Sequence, residues 1–286
     1  MLKINSFLTD QSDYTQIIQS IANMPKRLWL CGTLPARRVP TVAIVGTRKP
    51  TAYGREITYQ LSYELAKRGI VIISGLALGT DGIAHQAALD AGGTAIAVLP
   101  TPLESIHPRS HFMLAERIVQ SGGALLSEYG ADDRVFKVNF VARNRIVTAL
   151  SDGVLITEAA ARSGTLTTAN FALEQGRPVM AVPGNITSVM STGCNNLIKI
   201  GATPVTAVSD ILHELGLQDI GTQAELPLGR TKEEDTLIKL LGSGVREGEL
   251  LHQKSGLTAT SYNQALTMLE IEGKVKALGA NQWTLR

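Results

Sequence analysis

The residues best suited to binding an anion lie in a basic segment near the middle of the chain. Between Arg134 and Ser151 there are four basic residues and no acidic one, with Phe140 among them. Arginine and lysine neutralise phosphates, and a phenylalanine ring offers a face on which an unpaired base stacks. A basic run is usually a solvated surface, but apolar neighbours tie this one to a core. The pattern favours a nucleic-acid site with the following candidates: Lys137, Asn139, Phe140, Arg143, Asn144 and Arg145.

Two loops nearer the N-terminus also suit phosphate. Gly46, Thr47 and Arg48 follow an apolar run and supply a close backbone approach, a hydroxyl and a forked cation. Gly75 belongs to a glycine-rich loop that opens a predicted helix, where backbone amides attract anions. That loop, residues 74–82, is neither GxGxxG nor a Walker A motif. Taken singly, an ordinary turn explains the first loop equally well and the glycine-rich loop somewhat better.

Two further polar clusters follow later apolar runs. Ser163, Gly164 and Thr165 open a predicted helix and could present amides and hydroxyls to a phosphate, although capping by Ser163 is the simpler explanation. Glu158 precedes them, and we expect it to hold an arginine rather than act as a catalytic acid. Asn195 belongs to the last cluster, beside another helix start. Ser163, Gly164, Thr165 and Asn195 therefore join the candidate nucleic-acid site.

Short apolar runs rich in Val and Ile alternate with amphipathic stretches and predict the elements that position these clusters. Strand–helix–strand repetition of this kind predicts an α/β fold, an extended Rossmann-like, doubly wound, mainly parallel sheet. Ligands bind such sheets at the carboxyl ends of the strands, so the five clusters should converge on one edge. The predicted strands are 41–46, 70–75, 94–99, 123–128, 153–157, 178–182 and a weak 203–207.

Changes in pattern along the chain predict the domain organisation. We expect a short N-terminal extension at 1–37, a Rossmann-like domain at 38–215, a linker at 216–229 and a C-terminal domain at 230–286. The last segment reads as three helices and a hairpin, which is the winged-helix layout. It carries eight basic and eight acidic residues over 225–286, and this balance argues against strong DNA binding by that domain.

Composition narrows the class of protein. Cys31 and Cys194 are the two cysteines and form no CxxC, so neither a disulfide framework nor a zinc site is expected. The five histidines match no metalloenzyme spacing, and no nucleophile elbow is present. We therefore expect no metal site, and the residues give little support to a catalytic function. No signal peptide or membrane span is predicted, and a reducing cytoplasm is the simple expectation.

Several of these segments together resemble the DNA-processing protein A family, also called DprA or Smf. The resemblance implies an extended Rossmann fold, a homodimer and sequence-independent binding of single-stranded DNA, with no catalytic activity or cofactor. It also implies that the protein protects incoming DNA and loads the RecA recombinase onto it during natural transformation. The matching segments are IVGTR (44–48), SGLALGTDGIAHQAAL (74–89), NFVARNRIVTALSD (139–152), TEAAARSGTLTTANFALEQGRPVMAVPG (157–184) and GCNNLIKIGATPV (193–205).

Two other functions fit parts of the sequence. The Ser163–Thr165 loop after Glu158 loosely resembles the PGGxGTxxE loop of nucleotide phosphoribohydrolases, which would make the site a nucleotide-binding or nucleotide-hydrolysing one. However, the double glycine and the following TxxE are missing. A winged-helix transcription factor with an effector domain is a third possibility, which the neutral charge of the C-terminal domain weakens.

Two structural details are also open to prediction. Arg143 and Arg145 stand two apart on a predicted helix and therefore face different sides. One should contact DNA and the other a carboxylate, with Glu158 and Asp152 as candidates. The dimer contact should use apolar residues late in the core domain, namely Leu197, Ile198, Ile200 and Ile211.

Overall fold

The computed structural model describes residues 4–217, 229–279 and 281–285. The chain divides into two compact units, Met1–Asp219 and Ile220–Arg286. Most of the predicted linker, 216–229, lies outside the described residues. No helix in the described part of the chain is long and apolar enough to cross a membrane.

The first unit is built on a nine-stranded sheet with the order β1-β2-β6-β5-β4-β3-β7-β8-β9. From β6 to β9 every neighbouring pair is parallel, whereas β1 and β2 add an antiparallel edge. The strands are β1 (Ile4–Leu8), β2 (Arg27–Gly32), β3 (Thr41–Val45), β4 (Val71–Ser74), β5 (Ala95–Leu99), β6 (Ala124–Ser127), β7 (Gly153–Ile156), β8 (Val179–Ala181) and β9 (Thr203–Pro204). The mainly parallel α/β fold is thereby confirmed.

Helices connect the parallel strands, and several begin or end where the sequence predicts. Glycines 69, 92, 122 and 176 follow predicted helices, and each has a positive φ that ends a helix readily. The helices of this unit are α1 (Ala52–Lys67), α2 (Thr80–Asp90), α3 (Phe112–Gln120), α4 (Lys137–Ala142), α5 (Asn144–Ala149), α6 (Thr165–Glu174), α7 (Thr192–Lys199) and α8 (Val208–Glu214).

The central strands are buried on both faces because helices cover both sides of the sheet. Along β3, Ala43 and Val45 pack into one hydrophobic cluster, while Val42 and Ile44 pack into the other. Side chains of a strand alternate between faces, so both halves of the run must be apolar. That is why the sequence shows continuous apolar runs rather than alternation.

The sheet extends further toward the N-terminus than the predicted boundary at residue 38. β1 and β2 pair with each other, and β2 continues the sheet through β6. Tyr14, between them, is fully buried, and its hydroxyl hydrogen-bonds Thr41 Oγ1 at 2.8 Å. Burial raises the pKa of this phenol to about 12. The segment predicted as an extension therefore packs as part of the core unit.

The second unit has its own small hydrophobic core, centred on Leu237, Leu251, Leu266 and Leu269. Three helices and an antiparallel hairpin surround it, and Thr258 caps the third helix by accepting a hydrogen bond from Ser261 N. This arrangement confirms the predicted winged helix. Its elements are α9 (Lys232–Gly242), α10 (Gly248–Ser255), α11 (Ala259–Ile271), β10 (Val275–Gly279) and β11 (Gln282–Leu285).

Candidate nucleic-acid interface

A pocket of about 280 Å³ opens at the carboxyl end of β3. This strand lies between β4 and β7, so the chain leaves it in one direction and later returns on the other side. Such a switch point leaves a crevice between the diverging loops, where open α/β sheets bind ligands. The pocket is lined by Val45, Gly46, Thr47, Arg48, Ala77, Asp81, Phe140, Val141, Arg143, Asn144, Ser163, Gly164, Thr165 and Thr168.

Gly46 and Thr47 form the junction of three loops. Thr47 N donates to Glu158 O at 2.8 Å, and Thr47 O accepts from Thr80 N at 3.1 Å. A Cβ atom on Gly46 would lie 2.5 Å from Thr80 Oγ1, so a larger residue would push these loops apart. The backbone at the end of β3 is therefore fixed before any ligand binds.

The start of α6 closes the other side of the pocket. Thr165 Oγ1 donates to Gly46 O at 2.9 Å, and Ser163 Oγ accepts from Thr165 N at 3.2 Å. The helix begins at Thr165, with Gly164 as the N-cap residue rather than Ser163. Amides at a helix N-terminus carry partial positive charge, so this wall suits a phosphate oxygen.

Arg143 lies in the floor of the pocket and is only 5% exposed. Its Nη1 donates to the carbonyl oxygens of Gly75 and Val98. A Cβ atom on Gly75 would lie 2.2 Å from Arg143 Nη2, so this position must be glycine for the arginine to fit. Gly75 thus serves the pocket through Arg143 and is not one of its lining residues.

Asp81 is a lining residue that the sequence analysis did not select. Its Oδ2 accepts hydrogen bonds from Gly75 N at 3.1 Å and Ala77 N at 3.3 Å, which shapes the glycine-rich loop. Burial raises the pKa of Asp81, opposed by the positive charge of Arg143. Burial likewise lowers the pKa of Arg143 to about 10, opposed by Asp81. At neutral pH the guanidinium is therefore still a cation.

Phe140 supplies the aromatic surface of the pocket. Its ring is half-buried and packs edge-on against His107, with the ring centroids 5.2 Å apart. Phe140 also borders a small adjoining cavity of about 60 Å³, which Gly75 and Arg143 line as well. Contact with His107 fixes the ring at the mouth of the pocket, as a stacking platform requires.

Besides Gly75, four predicted site residues are not among the lining residues of the pocket. Arg145 Nη2 pairs with Glu128 Oε1 at 2.6 Å, and its Nε donates to Asn23 O. Asn195 exchanges two hydrogen bonds with the Gly184 backbone, and so shapes the loop after β8. The other two are Lys137, which is exposed at the start of α4, and Asn139, which is buried.

The predictions about carboxylate partners were wrong in detail. Glu158 is buried, and instead of an arginine it binds Thr51, accepting from the amide at 2.8 Å and from the hydroxyl at 2.7 Å. Asp152 pairs with Arg38 at 2.7 Å. The spacing rule for Arg143 and Arg145 holds, since they point to different parts of the unit, but both use their guanidinium groups to bind protein.

Among the residues that the structure describes, no three His, Cys, Asp or Glu side chains are grouped so that they could hold a metal ion. Asp81 is the only carboxylate among the residues that line the pocket, and backbone amides already engage it. The pocket thus offers two cations, a helix N-terminus, hydroxyls and an aromatic ring. Groups of these kinds suit an anion that carries attached aromatic groups.

Fold and site together define a Rossmann-like protein with an arginine-lined pocket at its switch point and an appended winged helix. A family model described as DNA recombination-mediator protein A matches residues 5–216, and the DprA winged helix domain matches residues 221–281. The chain therefore belongs to the DprA/Smf family, as the sequence motifs predicted.

Curated and solved relatives agree with this assignment. The chain is 38% identical to Protein Smf of Escherichia coli over 285 residues, which cover 97% of this chain and 76% of that protein. The structure of DprA from Streptococcus pneumoniae matches with a TM-score of 0.69 and 39% identity, over 74% of each chain. A Helicobacter pylori DprA structure, described by its single-stranded DNA binding mode, matches with a TM-score of 0.66 and 33% identity. It covers 75% of this chain and 96% of that one.

Proposed function

We propose that this chain binds single-stranded DNA in the pocket at the end of β3, without regard to base sequence. The observation that carries this proposal is the convergence of loops far apart in sequence, around Arg48, Phe140, Arg143 and Thr165, on one pocket. Two cations and a helix N-terminus suit phosphates, whereas the ring suits an unstacked base. The binding mode reported for the Helicobacter pylori relative supports the same ligand.

The contacts differ in kind. Arg48 is exposed and lines the pocket, so we assign it a direct phosphate contact. Arg143 Nη1 donates to the carbonyl groups of Gly75 and Val98, so we assign this side chain mainly a positive charge and a rigid pocket floor. Phosphate contacts carry no sequence information, and the side chains of Asp81, Asn144 and Thr165 in the pocket already hydrogen-bond protein groups. Sequence-tolerant binding follows.

We further propose that the protein protects incoming DNA and loads the RecA recombinase onto it in natural transformation, in the cytoplasm. The family description as a recombination mediator supports this role. A homodimer is part of the proposal. Of the four residues predicted for its contact, Ile200 is 77% exposed, whereas Leu197 and Ile211 belong to the core and Ile198 packs against it. A monomeric mass in solution at micromolar concentration would contradict the dimer.

The protein is proposed to act by binding, without catalysis. The glutamate on which the nucleotide-hydrolysis alternative depended, Glu158, is buried against Thr51 and is not among the lining residues. The carboxylate that does line the pocket, Asp81, is engaged by the backbone amides of Gly75 and Ala77. Incubation with nucleoside monophosphates should release no free base. Release of base at a rate that scales with protein concentration would favour the hydrolase instead.

A binding titration tests the central proposal. Oligothymidine and a duplex of equal length are titrated over a series of salt concentrations, without metal or nucleotide. The single strand should bind more tightly because the ring of Phe140 needs an unpaired base. Its affinity should fall as salt increases, as expected when phosphates displace counterions. Equal affinity for duplex and single strand would contradict the assignment.

A further inference from the structure

A second, larger groove of about 770 Å³ lies beside the pocket. The loop after β3, helices α1 and α2 and the start of α3 form its walls. Its volume is well within the range of clefts that hold ligands, and it is nearly three times that of the pocket. The lining residues are Arg48, Lys49, Pro50, Arg55, Tyr59, Gly79, Gly82, Ile83, Gln86, Ser110, His111, Met113, Leu114 and Arg117.

The charge of this groove is strongly one-sided. Lys49, Arg55 and Arg117 line it together with Arg48, and none of its lining residues is acidic. Arg55 Nη1 donates to Pro50 O at 2.7 Å, a contact that leaves the positive charge uncompensated. Asp90 lies next to the groove and pairs with Arg117 at 3.5 Å. A concave surface lined by one sign of charge attracts a polyanion.

An aromatic ring is held in the wall between these cations. Tyr59 follows Arg55 by one helical turn on α1, so both lie on the same face. Its hydroxyl hydrogen-bonds Asp90 Oδ2 at 3.1 Å, and its ring stacks on Tyr63 with centroids 6.1 Å apart. Tyr59 as a whole is 39% exposed. A fixed, partly exposed ring among cations has the composition of a single-strand binding surface.

The groove is continuous with the pocket through one residue. Arg48 lines the pocket, the groove and the small cavity beside Phe140. Gly79 lines the groove and packs against the backbone of Arg48: a Cβ atom there would lie 2.6 Å from the carbonyl carbon of Arg48. Single-stranded DNA with a phosphate on Arg48 would therefore have the basic groove open beside it.

We propose that this groove carries the single strand onward from the pocket, with its phosphates on Lys49 and Arg55 and a base against Tyr59. This inference rests on the proposed function, because it takes the strand to be seated at Arg48. In this proposal the groove holds the sugar–phosphate backbone of extended single-stranded DNA. Lengthening an oligonucleotide beyond the pocket should therefore increase affinity through these residues.

The test is a length series of oligothymidines from about 4 to about 16 nucleotides, the span of known single-strand site sizes. The double variant Lys49→Gln and Arg55→Gln is compared with the unaltered chain and with Lys67→Gln. Lys67 is an exposed lysine at the far end of α1 and lines neither space. The double variant should bind the longest oligonucleotide about 3- to 20-fold more weakly, since two exposed ion pairs are lost. Its log–log salt slope should fall by about 1.4.

For the shortest oligonucleotide, the double variant should match the unaltered chain, because neither substituted residue lines the pocket. If the double variant gains as much affinity with length as the unaltered chain, the groove assignment is wrong and the pocket assignment is unaffected. An equal loss at every length, or an equal loss in Lys67→Gln, would also overturn it. If the unaltered chain binds no single strand at any length, the proposed function fails together with the groove. Thermal unfolding confirms that each variant is folded.

Discussion

At the scale of single residues, Arg48 and Arg143 show how two arginines in one pocket serve different purposes. Arg48 is exposed and borders three connected spaces, whereas Arg143 is buried and holds two carbonyl oxygens. A surface cation is easily removed, but a buried one leaves its partners without hydrogen bonds. Substituting each should therefore separate binding from stability.

Arg48→Ala should weaken single-strand binding whatever the sequence, and it should leave the thermal unfolding temperature unchanged. Loss of one phosphate contact lowers the log–log salt slope by about 0.7. Titration over a salt series measures both effects. Lys137→Ala is the informative companion, since Lys137 was predicted to bind phosphate but does not line the pocket. Because it lies outside the pocket, Lys137→Ala should leave affinity and slope nearly unchanged. An unchanged affinity and slope in Arg48→Ala would contradict the pocket assignment.

Arg143→Ala should destabilise the first unit by roughly 2–5 kcal/mol, because it strands the carbonyls of Gly75 and Val98 and leaves the neighbouring Asp81 without a cation. Urea denaturation gives the free energy of unfolding. Arg117→Ala is a suitable control, since Arg117 is an exposed arginine paired at 3.5 Å with Asp90. Equal stability in the two variants would show that Arg143 has no structural role.

His85 predicts a pH dependence of stability. It is fully buried, and neither ring nitrogen has a hydrogen-bond partner among the described residues. Burial, with smaller effects from His111 and Arg143, lowers its pKa from 6.5 to about 3. Below pH 6.5 His85 is protonated in the unfolded chain but stays neutral in the folded chain. This residue therefore costs about 1.4 kcal/mol of stability for each pH unit from 6.5 down to about 3.

His85→Leu removes that proton linkage and should flatten the acid side of the stability curve. Between pH 7 and pH 4.5 the variant should lose about 2 to 3 kcal/mol less unfolding free energy than the unaltered chain loses. Urea denaturation at several pH values measures the difference, and groups such as Asp81 cancel because both proteins carry them. Parallel curves from pH 7 to pH 4.5 would contradict the low pKa.

At the scale of elements, the site depends on how the start of α1 is tied to the loop before α6. Thr51 caps α1 by accepting from Gly54 N at 3.1 Å, and its hydroxyl donates to Glu158 at 2.7 Å. A Cβ atom on Gly54 would lie 2.2 Å from Glu158 Oε2, so glycine leaves room for the carboxylate. The helix position is thereby coupled to the pocket wall.

Thr51→Val should destabilise the first unit by about 1–3 kcal/mol, since it removes a cap and a hydrogen bond to a buried carboxylate. It should also weaken oligothymidine binding, because Arg48 lies just before this cap. Thr258→Val is the matched control, removing the cap of α11 in the other unit. Thermal unfolding and titration are measured on both variants. An effect of Thr258→Val on binding equal to that of Thr51→Val would contradict the coupling.

At the scale of the whole molecule, the two units have separate cores and different surfaces. The exposed positions of α11 include Asn263, Gln264, Met268 and Ile271, and the helix contains no basic residue. A recognition helix without cations has little to offer a phosphate backbone. The charge of the winged helix thus agrees with a pocket that lies wholly in the first unit.

A chain ending at Asp219 should keep the single-strand affinity and salt slope of the full chain. The pocket and the groove are lined entirely by residues before 220, and that unit has its own two hydrophobic clusters. Titration of both proteins with the same oligothymidine checks this. Circular dichroism confirms that the shortened chain is folded. A shortened chain that is folded but binds ten times more weakly would assign a share of the site to the winged helix.

The sequence by itself determined the parallel strands, their order along the chain and the family. Each of the seven predicted strands appears as one. Six of them are buried throughout, and a strand buried on both faces must be a short, continuous apolar run, whereas the weakly predicted β9 is a partly exposed strand at the sheet edge. Convergence of four clusters on the end of β3 followed from the same logic, since parallel strands end at one edge. β1 and β2 escaped prediction because they form the antiparallel edge, where burial is less complete and the pattern weaker.

Only the tertiary structure decided which polar side chains face the pocket. Arg143 and Arg145 are indistinguishable as residue types, yet one enters the floor beneath Gly75 and the other reaches Glu128, 17 residues away. Glu158 binds Thr51, 107 residues distant, rather than an arginine. Local pattern fixes the direction of a backbone, but the partner of a side chain depends on which distant loops pack beside it. Those contacts exist only once the sheet has brought the loops together.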